Sequence, residues 1–79
     1  MIKQMTKAEM QELIDKLWDD EEEVWKKIYF WANRYDIALE NRNPAKAQIA
    51  DTERANAFAE LHAIDSRRNE LLKELREMN

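Results

Sequence analysis

The stretch Asn41-Arg42-Asn43-Pro44 decides how this chain folds. The 79 residues contain no glycine and a single proline, which sits just past the midpoint. Asparagine side chains compete for backbone hydrogen bonds, and the residue before a proline is pushed out of the helical region, so the cluster ends a helix. It can also start one. Asn43 is a good N-cap, and Pro44 at the first helical position lacks only an N–H that would have no partner inside the helix. Two stretches of about equal length flank the cluster, and both carry helical periodicity. The sequence therefore specifies a single all-α domain over 1–79: helix one at about 7–41, a turn at 41–44 and helix two at about 45–78. At ~1.5 Å per residue each helix would be about 50 Å long.

Upstream, Thr6-Lys7-Ala8-Glu9 reads as a capping box, with Met5 and Met10 in the staple positions around it. The acidic run Asp19-Asp20-Glu21-Glu22-Glu23 offers an alternative break, since acids favour helix N-termini. A break at Asp19-Asp20 would give a compact three-helix bundle. Against it, no Gly, Pro, Asn or Ser supplies a turn there, and the apolar phase continues through the run. Glu22–Lys26 and Glu23–Lys27 are also spaced as favourable pairs one turn apart.

Steps of four and three pick out Met10, Ile14, Leu17, Glu21, Val24, Ile28, Trp31, Tyr35 and Ala38 in the first half. The same steps pick out Ala47, Ala50, Arg54, Ala57, Leu61, Ile64, Arg68, Leu71, Leu75 and Met78 in the second. Both are heptad seams. Folding at the Asn41–Pro44 turn pairs residues whose numbers sum to about 85, as an antiparallel coiled-coil-like hairpin requires. Ala38 then meets Ala47, Tyr35 meets Ala50, Ile28 meets Ala57, Val24 meets Leu61 and Ile14 meets Leu71. Large faces small near the turn and large faces large at the open end, which suits close packing. Glu21 and Arg68 fall one layer apart and are expected to pair, fixing register more than adding stability. Trp31 is expected to stack on the Arg54 guanidinium.

The seam leaves apolar residues over. Trp18, Trp25, Ala32 and Leu39 form a row beside it on helix one, with Phe58 and Leu72 on helix two and Tyr29 and His62 at the edge. Antiparallel packing puts these rows on one side of the hairpin. The other side reads as polar (Asp20, Lys27, Arg34, Asn56, Glu70, Glu77), with Leu13 and Ile49 as exceptions. Exposed apolar patches of this size mark interfaces. The expectation is that two hairpins join through the aromatic flank into a homodimeric four-helix bundle, with Trp18, Trp25, Tyr29, Phe58 and Leu72 at the interface. Phe30 and Ile37, which read as pointing away from both seam and flank, are candidates for a second contact together with Arg34.

Composition excludes much chemistry. Without cysteine there is no disulfide and no thiolate metal site, which suits a reducing cytoplasm. No run approaches the ~18 apolar residues of a membrane span, and Met1 to Thr6 carry no apolar leader core. His62 is the sole histidine and Ser66 the sole serine, and neither has a triad partner on its face. The acidic run lacks the alternating oxygens and glycine of a calcium loop, and no phosphate-cradling glycine loop exists. No cofactor or metal is therefore expected. A net charge of −4 with no basic stripe argues against nucleic acid. The chain reads as a non-enzymatic module that binds itself and another protein, as a regulator, adaptor or inhibitor. Its style fits phage or mobile-element products that act on a host protein. The alternative is an oligomeric bundle that sequesters a nucleotide-like ligand between aromatic rings and Arg34 or Arg54.

Overall fold

The computed structural model describes residues 5–78; residues 1–4, part of the stretch read for a leader, and Asn79 lie outside it. Two helices make up the described chain, α1 (Lys7–Glu40) and α2 (Pro44–Glu77), packed side by side as an antiparallel hairpin. The molecule measures 56 × 20 × 17 Å with a radius of gyration of 17.7 Å. A compact domain of this length would have a radius of gyration of about 12 Å. In this elongated shape each helix packs only against the other, and both flanks of the pair are open.

The α1 start follows its sequence signals. The Thr6 hydroxyl accepts from the Glu9 N–H at 3.1 Å, and the Glu9 carboxylate accepts from the Thr6 N–H at 3.3 Å. Met5 packs against the cluster that contains Met10, completing the staple. α1 then runs unbroken through the acidic stretch, so the three-helix alternative does not form. The supporting ion pairs differ from those expected. Lys26 reaches Glu23 at 3.0 Å, and Lys27 crosses to Glu60 of α2 at 3.4 Å. The cause is that position 27 lies beside the seam, where a carboxylate on the facing helix is as near as one on its own.

At the turn the chain meets a conformational demand without a glycine to answer it. The Asn43 N–H donates to the Ala38 carbonyl at 2.8 Å and the Arg42 N–H to the Leu39 carbonyl at 3.1 Å. This is the Schellman arrangement, which requires a left-handed residue after the C-cap. Arg42 takes that role at φ 54°. Asn43 then serves both helices, since its side chain accepts from the Lys46 N–H at 3.2 Å to cap α2.

The seam packs as its spacing dictates. Met10, Ile14 and Leu71 form one buried cluster, with Leu17, Leu72 and Leu75 against it. Val24, Ile28 and Ala57 form a second, with Leu61 and Ile64. Ala38, Ala47 and Ala50 are buried near the turn, where small side chains let the helices approach. One layer departs from expectation. Arg54 does not stack on Trp31; its guanidinium lies 5.1 Å from the centre of the Tyr35 ring. Asp51, one turn nearer the hairpin turn, holds Arg54 at 2.7 Å and draws it toward Tyr35. Trp31 instead sets its edge against Phe30 on α1, with 5.0 Å between centroids.

Candidate interaction surfaces

Between the two apolar clusters lies a single charged layer. Arg68 is 8% exposed and ion-pairs with Glu21 across the seam and with Asp65 on its own helix. Its guanidinium also lies 3.9 Å from the centre of the Trp18 ring. The expected Glu21–Arg68 pair is thus present, and the same guanidinium lies against the Trp18 ring.

Trp18 is the first member of the aromatic flank. Trp25, seven residues on, follows on the same stripe, and the two indoles line one shallow depression with Glu21 and Glu22. Trp25 stacks on Tyr29 with 5.8 Å between centroids and meets Phe58 of α2 edge-on at 6.2 Å. These contacts join rings from both helices into one surface. The surface remains open to solvent: Trp18 is 52%, Tyr29 68%, Phe58 38% and Trp25 36% exposed. Leu39 extends the row toward the turn and is also exposed. Leu72 differs, being half-buried against the Met10–Ile14–Leu71 cluster, so it supports the flank from beneath.

The second set, Phe30, Ile37 and Arg34, does not simply project into solvent. These residues line a cleft of about 470 Å³ beside the turn, together with Trp31 and with Lys46, Ile49 and Ala50 of α2. The flank read as polar is therefore apolar at its closed end. Phe30 and Ile37 lie one position beyond Arg34 around α1, and Ile49 lies similarly beyond Lys46 on α2. The buried Ala38 and Ala50 between them leave the floor low. That small-residue floor was the available sequence signal. Lys46 and Trp31 are the members that heptad reasoning did not place here.

Little else offers chemistry. Among the described residues no group of His, Cys, Asp and Glu side chains could hold a metal ion, and no helix is long and apolar enough to cross a membrane. His62 is exposed. Lys26 is held above its ordinary range by its hydrogen bond and charge attraction to Glu23, but it is fully exposed and stands apart from both surfaces. No known family model, curated protein or solved structure matches the chain.

Proposed function

We propose that this protein is a non-enzymatic binding module that self-associates through its aromatic flank and regulates or inhibits another protein by covering part of its surface. The observation that supports this reading is the joined ring surface of Trp25, Tyr29 and Phe58, built across both helices and left open, with Trp18 exposed on the same stripe beyond Glu21 and Glu22. Fully burying one such side chain stabilises by roughly 1.5–3 kcal/mol, so covering several provides the driving force for association. Tryptophan and tyrosine are also enriched among residues that dominate binding energy. A two-fold pairing of hairpins buries the flank in a four-helix bundle. A small elongated domain gains stability by such pairing. The origin in a phage or mobile element, and action in the cytoplasm, belong to the same proposal.

Sedimentation equilibrium of Trp25→Ala and Phe30→Ala tests it. Loss of the dimer in Trp25→Ala with Phe30→Ala unaffected is the expected result. Equal effects, or a monomeric parent chain with no partner, would remove the reading. The second reading, capture of a small ligand, draws on the cleft beside the turn.

A further inference from the structure

The cleft lies on the flank opposite the aromatic surface, so its role is independent of self-association. Its floor is Ala38 and Ala50, 4% and 1% exposed, whose methyl groups leave space above them. Its walls are the Phe30 and Trp31 rings and the side chains of Ile37 and Ile49. Its only charged members are Arg34 and Lys46, both cationic, in a chain of net charge −4. Neither makes an ion pair among the described residues. Arg34 instead rests 5.1 Å from the Phe30 ring centre, a position that keeps its guanidinium at the mouth. The carboxyl end of α1 and the amino end of α2 meet at the same edge, where their dipoles offset, so the positive charge of the cleft comes from the two side chains.

We infer that this cleft binds a small aromatic anion, a flat ring system carrying one sulfonate, carboxylate or phosphate group. The rings and isoleucines cover the apolar body, and Arg34 and Lys46 meet the charge. Chemistry supports a small anion: the cleft of about 470 Å³ combines two rings, a low alanine floor and two cations without ion pairs, whereas a depression of equal volume around Leu13 has no ring in its lining. The Lys27–Glu60 ion pair bridges the two helices on this flank, farther from the turn. Between it and the turn, Phe30 to Asn41 spans about 17 Å at ~1.5 Å per residue, too short a bed for a long helix.

The test titrates the full ¹⁵N-labelled chain with 2-naphthalenesulfonate, using neutral 2-naphthol as the control. The three indole N–H signals report separately on Trp18, Trp25 and Trp31. The expected result is saturable movement of the Trp31 signal with Trp18 and Trp25 unmoved. Arg34→Gln combined with Lys46→Gln should weaken sulfonate binding about tenfold or more, because a charge-assisted contact is lost. Naphthol binding should be equal in the two proteins. Both substituted side chains are exposed, so an unchanged helical circular dichroism spectrum is expected and confirms that folding is not at issue. A Trp31 signal that stays still up to millimolar sulfonate overturns the inference, as does equal movement of all three indoles or undiminished binding by the double variant. Movement of Trp31 with protein concentration alone also overturns it, since a second copy then fills the cleft.

Discussion

Arg68 reaches across the seam to Glu21 and divides the apolar core into two clusters, one toward the open end and one in the middle of the hairpin. A one-heptad slip of α2 would separate the two charges and set Arg68 against Val24 or Met10 and Glu21 against Leu71 or Ala57, so the pair penalises wrong registers. Arg68→Ala leaves a largely buried carboxylate facing an empty layer and should destabilise by about 3 kcal/mol in urea unfolding. Glu21→Ala added to it should cost little more. A double-mutant cycle with no coupling would show that the two groups stabilise independently.

Arg42 occupies the left-handed position of the turn at φ 54°, where a Cβ is strained. Arg42→Gly should raise stability by ~0.5–1 kcal/mol, the relief of strain exceeding the added freedom of the unfolded chain. Thermal melting checks this, and a lowered midpoint would mean that the arginine side chain makes a contribution of its own.

Ala50 is 1% exposed and sits where the helices come close. Ala50→Leu should push them apart at a cost of about 1–3 kcal/mol. The exposed Ala59, farther along α2, serves as the comparison, and Ala59→Leu should change stability by less than about 0.5 kcal/mol. Similar losses from both would place Ala50 outside the tight layer.

Trp25 and Phe58 meet edge-on across the two helices. Such pairs contribute roughly 0.5–1.5 kcal/mol beyond area burial. A cycle of Trp25→Ala and Phe58→Ala, measured at protein concentrations low enough to keep the chain monomeric, should give coupling in that range. Absence of coupling would show that the contact matters only within an assembly.

Much of the architecture was legible because it depends on backbone period and terminal signals. Thr6, Glu9, Asn43 and Pro44 act through local hydrogen bonds and fixed dihedrals, and the seam residues follow from a repeat that any long antiparallel pair must obey. The Glu21–Arg68 pair followed from the same count. What the count could not give was the direction taken by long side chains at the seam edge. Arg54 had Tyr35, Trp31 and Asp51 within reach, and its own-helix carboxylate decided among them. Lys27 went the other way, pairing with Glu60 on the facing helix rather than with Glu23 on its own. The cleft escaped notice because it is a void, defined by how little Ala38 and Ala50 fill and by where Trp31 turns, and heptad positions record neither.

Pro44 also governs what the chain does when crowded with its own copies. Hairpins with short connections can trade arms by straightening into one continuous rod. Here that rod would drive the pyrrolidine ring into the Glu40 carbonyl and strip it of its donor, costing about 3 kcal/mol in every strand that opened. That cost favours the closed clip and disfavours exchange of arms between copies relative to the laying together of finished clips.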